Sequence, residues 1–299
     1  MDDMDFTKPQ PNTAAGSAPF KAASSRFYDA AAAAKVFREA GKEERFTASQ
    51  VVFEEAEKAK GGLFSRSSSR MYYLAEGEVA LSIGGRPLDI VKAGEVFGEM
   101  AVISGRPRSA SATARGDVVA YSMDAAELQR VIAKYPEFAL MLASVMYDRL
   151  RFLAARLAQR PSGSAAPREA TVFEPALVTQ LEAALPKTAI VRHRQETVIF
   201  KEGQAGTFMY LVKAGRVGIA IGANIVEVVG PGGTFGEMAV VDQSPRTARA
   251  GAIEEVELLA VDRSTLVELI RKNPAFAMAL MKGVAERLRH MNEQFAGRA

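Results

Sequence analysis

The stretch FGEMAVISGRPRSA, residues 97–110, returns 138 positions later as FGEMAVVDQSPRTA, residues 235–248. In each copy, a Gly-Glu pair follows an apolar run, and a Pro-Arg pair comes at a fixed distance after the glutamate. A carboxylate, a position without a side chain and a guanidinium at conserved spacing within one chain indicate a binding site rather than a core element. Because the string occurs twice, we expect two such sites.

The repeat extends far beyond these two strings. A shift of 138 positions aligns residues 71–151 with residues 209–289, and roughly 31 of the 81 aligned positions are identical. Upstream, RFTASQVVFEE from Arg45 matches RHRQETVIFKE from Arg192 at a shift of 147, so the first copy carries about nine extra residues near 56–70, where a polar loop insertion is expected. Two long copies indicate two homologous domains rather than a solenoid.

Each copy begins with short runs rich in Val, Ile, Tyr and Phe that are separated by glycine, such as MYYLAEG and EVALSIGG in the first copy. This pattern is typical of short antiparallel strands joined by hairpins, and many such strands indicate a sandwich, a jelly roll or a barrel. Apolar residues at helical spacing follow the strands, first in MDAAELQRVIAKYP from Met123 and then from Glu137 onward. The fold class is therefore α+β and mainly β, with a long helix after each β-domain.

The final helix of each copy carries a narrow apolar stripe with 4-3-4 spacing. The stripe residues are Met146, Leu150, Leu153 and Leu157 in the first copy and Val284, Leu288, Met291 and Phe295 in the second. Such a stripe packs either on its own β-domain or against another helix, within the chain or in a homodimer. Both interpretations stay open.

Composition shifts divide the chain into five segments. Residues 1–25 are rich in Pro, Ala, Ser and Thr and are expected to be disordered, and residues 26–42 are alanine-rich and are expected to form a helix. The first domain is placed at 43–158 and the second at 172–299. Residues 159–171 contain Pro, Gly and Ser and are expected to form a flexible linker.

The overall composition excludes several classes of protein. Net charge is +3, too weak by itself to indicate nucleic-acid binding, and the absence of cysteine rules out disulfides and thiolate metal sites. The only histidines, His193 and His290, lack metal-ligand spacing, and no nucleophile elbow or Walker sequence occurs, so we expect no metal site and no enzymatic activity. No apolar run is long enough to span a membrane and the acidic N-terminus lacks a signal core, which favours a cytoplasmic location.

The chemistry of the repeated string predicts its ligand. Gly98 lets backbone approach a ligand closely, and a helical turn after it offers free N–H groups. The guanidinium of Arg108 binds two phosphate oxygens, and Ser109 adds a hydroxyl donor. Glu99 repels a phosphate but accepts a hydrogen bond from a sugar hydroxyl beside it. The expected ligand is therefore a phosphate with an attached ribose that has a free 2′-hydroxyl.

The pattern F-G-E-M-A followed by P-R-[ST]-A, with nine residues from Glu to Arg, resembles the phosphate-binding cassette of cyclic-nucleotide-binding domains. This family includes the catabolite activator protein and protein kinase A regulatory subunits. The resemblance implies two tandem jelly-roll barrels with flanking helices, each followed by a long lid helix that closes over the base. It assigns the ribose hydroxyl to Glu99 and Glu237, and the cyclic phosphate to Arg108 and Arg246.

The same resemblance completes each pocket with small and apolar neighbours of these side chains. They are Gly98, Met100, Ala101, Ser109 and Ala110 in the first pocket, and Gly236, Met238, Ala239, Thr247 and Ala248 in the second. The first copy departs from the pattern upstream, because EEA at 54–56 stands where the second has KEG at 201–203. A hydroxyl after the arginine allows cAMP or cGMP, and cAMP is favoured. A cyclic dinucleotide, or a scaffold that binds no ligand, remains an alternative.

The resemblance also bears on how binding would be transmitted. A DNA-binding helix-turn-helix of the catabolite-activator type has no counterpart after either lid helix, so sequence-specific DNA binding by that route is not expected. We expect instead that lid-helix movement signals to a partner protein, for which the N-terminal arm is a candidate segment. The basic stretch RLRFLAARLAQR from Arg149 is expected to be a solvated helix face.

Overall fold

The computed structural model of the chain describes residues 27–56, 69–158, 168–169 and 173–296. These residues divide into two compact units, one formed by 1–159 with 284–299 and the other by 160–283. The segment 1–25, which is expected to be disordered, and residues 57–68 of the inserted loop lie outside the described residues. So does the expected linker 159–171, except for residues 168–169.

In its described residues, the first β-domain has eight short strands that form two antiparallel sheets with the orders β1-β8-β3-β6 and β2-β7-β4-β5. The strands are β1 (Lys42–Phe46), β2 (Val51–Phe53), β3 (Met71–Glu76), β4 (Glu78–Ile83), β5 (Arg86–Lys92), β6 (Val96–Phe97), β7 (Ser111–Ala114) and β8 (Val118–Met123). In both sheets non-consecutive strands are neighbours, as a jelly roll requires.

The second β-domain repeats this arrangement. Its strands are β10 (Ile190–His193), β11 (Val198–Phe200), β12 (Phe208–Ala214), β13 (Val217–Ile221), β14 (Asn224–Val229), β15 (Thr234–Phe235), β16 (Arg249–Ala252) and β17 (Val256–Asp262). They form the sheets β10-β17-β12-β15 and β11-β16-β13-β14, and the short strand β9 (Arg168–Glu169) pairs with β14 in parallel. The predicted fold class, two tandem jelly-roll barrels with flanking helices, is confirmed.

Eight helices accompany the strands in the described residues. They are α1 (Ala30–Ala40), α2 (Glu99–Ser104), α3 (Ala125–Lys134), α4 (Pro136–Ala158), α5 (Pro175–Ala184), α6 (Glu237–Asp242), α7 (Arg263–Lys272) and α8 (Pro274–Ala296), with a 3-10 turn at Lys187–Ala189. Both long helices begin with proline, which is suited to the first helical position because its missing N–H has no partner there in any case. None of the described helices combines the length and apolarity needed to cross a bilayer.

The first helix is shorter than the expected 26–42. It begins at Ala30 because Asp29 is its N-cap and accepts hydrogen bonds from the backbone nitrogens of Ala31 and Ala32. On its buried face, Phe37 packs against Tyr73 of β3 with ring centroids 5.7 Å apart. This contact fixes the helix on the first barrel.

The interior of each barrel places an aromatic ring directly beneath the repeated string. In the first barrel Phe53 stacks on Phe97, with 6.0 Å between ring centroids, and in the second Phe200 packs near Phe235 at 5.9 Å. Phe97 and Phe235 are the first residues of the two repeated strings. The cores therefore hold the strings at equivalent places in the two barrels.

Candidate ligand-binding sites

The glycine of each repeated string has the same unusual backbone conformation. Gly98 has φ 74° and ψ 6°, and Gly236 has φ 75° and ψ 6°. These left-handed values favour glycine, which has no Cβ to clash with the carbonyl oxygen. A Cβ at Gly236 would also lie 2.6 Å from Nη1 of Arg246. Glycine is therefore needed both to turn the chain into the short helix and to leave room for the arginine.

The two arginines fold back onto these glycines. Nη1 of Arg108 donates to the carbonyl oxygen of Gly98 at 3.0 Å, and Nη1 of Arg246 donates to that of Gly236 at 2.6 Å. Each guanidinium also lies over an aromatic ring, 3.9 Å from the centroid of Phe53 in the first barrel. The equivalent distance in the second barrel, to Phe200, is 4.0 Å. The two copies thus hold a buried cation in the same way.

Arg246 forms no ion pair with a carboxylate of the described residues. Burial lowers its pKa below the usual arginine range, and its Nε has no hydrogen-bond partner among the described residues. Nη2 of the same side chain donates to the carbonyl oxygen of Phe208 at 2.5 Å. A buried guanidinium with a free donor attracts an anion that can accept its hydrogen bonds.

In the first copy the glutamate is paired with the lid helix. Glu99 is 2% exposed, and its Oε1 lies 2.5 Å from Nη1 of Arg149 in α4, while its Oε2 has no hydrogen-bond partner among the described residues. Nη2 of Arg149 also donates to the carbonyl oxygen of Val96. Burial by itself would lower the pKa of Arg149, but the charge and hydrogen bond of Glu99, together with the charges of Asp89 and Glu95, raise it.

The prediction that the stretch from Arg149 is a solvated basic face is therefore wrong at its first residue. The local pattern of alternating arginine, leucine and alanine gave no signal for this. The sequence does contain one signal for Arg149, because the repeat places an arginine at the same position of both long helices, Arg149 and Arg287. A buried arginine facing the candidate sugar-binding glutamate is a residue that sequence reasoning missed.

All seven residues predicted for the first pocket line one cavity. These are Gly98, Glu99, Met100, Ala101, Arg108, Ser109 and Ala110. The cavity is closed on other sides by Phe53, Leu81, Leu88, Asp89, Arg149, Phe152, Leu153, Leu288 and Asn292. Carboxylate, guanidinium and hydroxyl groups thus face a common space with apolar walls, which is the composition of a small-molecule site.

The second string has a similar local arrangement. Glu237 and Ala239 are buried, Met238 and Ala248 are half-buried, and Oγ1 of Thr247 lies 3.5 Å from Sδ of Met238. The equivalent contact in the first string, from Ser109 to Met100, is 3.4 Å.

Gly206 is a further residue of this region that the sequence did not single out. A Cβ at that position would lie 2.5 Å from Cζ and Nε of Arg246 and 2.8 Å from the Cβ of Ala239. The place of the Arg246 guanidinium therefore depends on Gly206.

The upstream departure of the first copy leaves the backbone unchanged. Ala56 stands where the second copy has Gly203, yet both are left-handed, with φ 60° and 77°. The backbone nitrogen of Ala56 donates to the carbonyl oxygen of Arg108 at 2.9 Å, and that of Gly203 donates to the carbonyl oxygen of Arg246 at 2.8 Å. The turn that supports the arginine is therefore the same in both copies despite the missing glycine.

Two matches to the cyclic nucleotide-binding domain, over residues 43–135 and 190–273, cover more than half of the chain. The protein therefore belongs to the cyclic nucleotide-binding domain family, with two domains in tandem.

Among similar proteins is a CRP-like cAMP-activated global transcriptional regulator of Mycobacterium tuberculosis, 34% identical over 33% of this chain and 46% of the relative. A cAMP-dependent protein kinase regulatory subunit of Candida albicans is 34% identical over 31% and 22% of the two chains. Lysophospholipase nte1 of Neurospora crassa is 25% identical over 69% and 12%. The matches span less than half the length of each relative.

Proposed function

We propose that this chain is a cyclic-nucleotide receptor with two binding domains, that cAMP is its preferred ligand with cGMP as a second candidate, and that it acts through a partner protein. The observation that carries the proposal is the constellation found twice: a left-handed glycine, a buried glutamate after it, and a guanidinium held on the glycine carbonyl over an aromatic ring. Two relatives named for cAMP support the choice of nucleotide.

The proposed roles follow from the chemistry of each group and from its place in the site. Oε2 of Glu99, buried and without a partner among the described residues, accepts the ribose 2′-hydroxyl. Arg108 and Arg246 receive the cyclic phosphate, whose negative charge compensates a buried cation. Glu237 takes the ribose in the second pocket. The remaining cassette residues surround the sugar and phosphate closely and leave the apolar walls for the base.

The proposed signal passes through the long helices. In the first domain Arg149 of α4 binds the same carboxylate that would accept the ribose hydroxyl. A nucleotide that binds Glu99 therefore interacts differently with arrangements in which Arg149 is near or far, and it shifts the population between them. We propose that this movement changes the surface offered to an effector protein.

Association through the lid stripes is less well supported. Met146, Leu150 and Leu153 are at most 7% exposed in the single chain, and Val284 and Leu288 are at most 1% exposed. A homodimer through the same side chains would require repacking. We therefore propose a protein effector rather than self-association as the route of output.

Two further candidates are separated by their ligands. A cyclic dinucleotide receptor would bind through the same arginines, and a scaffold would bind no nucleotide. Lysophospholipase nte1 is an enzyme, but only 12% of its length is matched here, so we propose a regulatory and not a catalytic role for these residues. The cytoplasmic location expected from the sequence remains part of this proposal.

Calorimetric titration with cAMP, cGMP and cyclic di-GMP tests the proposal. We expect cAMP to bind, and each of Arg108→Ala and Arg246→Ala to remove one site or weaken it at least about 100-fold, because charged hydrogen bonds contribute about 1.5–3 kcal/mol each. Arg216→Ala is the matched control, since Arg216 is exposed and forms an ion pair with Glu254. Absence of heat with all three nucleotides, or binding that survives in the double variant, would contradict the proposal.

A further inference from the structure

A second cavity adjoins the first pocket at the residues proposed to bind the phosphate. It has a volume of about 290 Å³, and its lining includes Pro107, Arg108, Ser109 and Arg289. Arg108 and Ser109 also line the first pocket. A cyclic phosphate bound to these two residues would therefore lie where the two cavities meet, and it could be reached from both of them.

Arg289 enters the adjoining cavity from the C-terminal half of α8. Residues 284–299 belong to the same compact unit as the first barrel. Nη2 of Arg289 donates to the carbonyl oxygen of Pro107 at 2.8 Å, so the guanidinium is held on the residue that directly precedes Arg108. Its Nε is buried and has no hydrogen-bond partner among the described residues. A buried N–H of a guanidinium is costly to leave unpaired, which makes an acceptor in this cavity favourable.

The repeat shows that α8 uses this position differently from α4. The residues of α4 equivalent to Glu286 and Arg289 are Asp148 and Arg151. Within α4 these two form an ion pair, with Nη1 of Arg151 2.5 Å from Oδ1 of Asp148. In α8, Oε1 of Glu286 lies 2.7 Å from Nε of Arg106, on the same loop that Arg289 contacts. The pair that staples one turn of α4 thus attaches α8 to the phosphate loop and brings Arg289 to the cavity.

The charges around the cavity leave Arg289 able to bind an anion. Two carboxylates, Glu55 and Glu293, also line the cavity. Oε2 of Glu55 accepts a hydrogen bond from the backbone nitrogen of Gly84 at 2.7 Å, and Glu293 is exposed, so that its charge is screened by solvent. Burial lowers the pKa of Arg289 below the usual arginine range even with carboxylates nearby. A ligand anion beside the guanidinium would therefore stabilise its charged form.

We propose that Arg289 is a second phosphate-binding residue of the first pocket, and that its Nε donates to an exocyclic oxygen of the phosphate from the side of the adjoining cavity. This inference rests on the proposed function, because it presupposes a cyclic nucleotide with its phosphate on Arg108. The phosphate has two exocyclic oxygens, and each can accept a charged hydrogen bond from a different guanidinium. The first pocket is then complete only when α8 is packed on the phosphate loop.

The test uses the full chain with the second pocket inactivated by Arg246→Ala, so that calorimetry reports the first pocket alone. The ligands are cAMP and its two phosphorothioate diastereomers, in which sulfur replaces one or the other exocyclic oxygen of the phosphate. Arg289→Met should weaken cAMP and one diastereomer about 10- to 100-fold, the range expected for a hydrogen bond to a charged group. The other diastereomer, whose sulfur stands where Nε donates, should be weakened at least about 3-fold less. Arg289→Lys, which keeps the charge but lacks Nε, should show the same difference between the diastereomers.

The matched control is Arg106→Met, because Arg106 also joins α8 to this loop but lines neither cavity. It should change the affinity for all three ligands by one common factor. If the Arg289 substitutions also act equally on all three ligands, or leave every affinity unchanged, Arg289 does not contact the phosphate and the inference is refuted. If cAMP does not bind the Arg246→Ala chain, the proposed function fails for the first pocket, and the inference falls with it.

Discussion

Replacing Arg149 by methionine should destabilise the first barrel, because the buried carboxylate of Glu99 would lose its cation. The side chains of Arg149 and Glu99 are 15% and 3% exposed, and their charged atoms are 2.5 Å apart. Methionine fills much of the arginine volume but leaves the buried carboxyl of Glu99 without its cation. Removing one partner of a buried ion pair typically costs about 3–5 kcal/mol, so we expect the free energy of unfolding of the first unit to fall by that amount.

A double-mutant cycle separates the ion pair from lost packing. Glu99→Gln alone keeps the shape but leaves the buried guanidinium without an anion, and we expect a loss of about 1–3 kcal/mol. In the double variant no charge remains to be compensated, so its loss should be smaller than the sum of the single losses by at least about 1 kcal/mol. The chain has no tryptophan, so hydrogen exchange read by mass spectrometry is the suitable assay.

Peptides from the two units provide an internal control. Protection should fall in peptides from β3 and β8 of the first barrel, and stay unchanged in those from β12 and β17 of the second. A loss below about 1 kcal/mol in Arg149→Met would refute the reasoning, because it would show that the ion pair with Arg149 does not stabilise the buried carboxyl. Losses in the double-mutant cycle that simply add would also refute it, because they would show no interaction between Arg149 and Glu99.

Three further predictions concern single positions. Gly206→Ala places a Cβ 2.5 Å from the guanidinium of Arg246 and should weaken nucleotide binding at the second pocket at least 10-fold. Gly230→Ala, where a Cβ meets nothing within 4 Å, should leave it unchanged by the same titration. Ala56→Gly relieves a left-handed alanine and should raise the unfolding free energy by about 1 kcal/mol, measured by hydrogen exchange of the first barrel; a decrease would contradict the strain. Hydrogen bonds from the backbone and hydroxyl groups of the first turn of α7 lower the pKa of Asp262 below its ordinary value of 3.8. The charged carboxylate therefore stabilises the fold at pH values above 3.8, and this contribution is lost as the pH falls through the lowered pKa of Asp262. The stability difference from Asp262→Asn, followed by denaturant unfolding from pH 7 to pH 2.5, should therefore shrink below about pH 4, and a constant difference would show that the carboxylate charge contributes nothing.

The features that could be predicted from the sequence are those that depend on neighbouring residues and that occur in both copies. The spacing of Gly98, Glu99 and Arg108 is contained in eleven consecutive residues, and its repetition marks it as a unit. Strands such as β3 and β4 could also be predicted, because their apolar residues are separated by turn glycines such as Gly77, whose φ of 90° requires glycine.

The parts that were missed depend on contacts far apart in the sequence. Arg149 meets Glu99 across fifty positions, and Arg289 meets Pro107 across 182. Neither contact has a local pattern, since an arginine on a helix is ordinarily solvated. The boundary of α1 was misplaced for a different reason: the sequence RFYD before it is apolar enough to continue a helix, but Asp29 caps it instead.

Taken together, the repeat explains what the two pockets share, and its departures explain how they should differ. The cassette is common to both, down to the conformation of the glycine and the place of the arginine over an aromatic ring. The first pocket adds Asn292, whereas the equivalent residue in the first copy is an alanine.

The first pocket also supports its arginine with Ala56, which adopts a strained left-handed conformation that Gly203 adopts without cost. Strain of this kind persists only where the surrounding structure demands it, and here it preserves the hydrogen bond to the backbone of Arg108. A chain that had lost the use of its first pocket would gain stability by relaxing that turn. We therefore predict that the first pocket binds nucleotide as the second does, and titration of the Arg246→Ala chain with cAMP would check this; absence of binding to that chain would contradict the prediction.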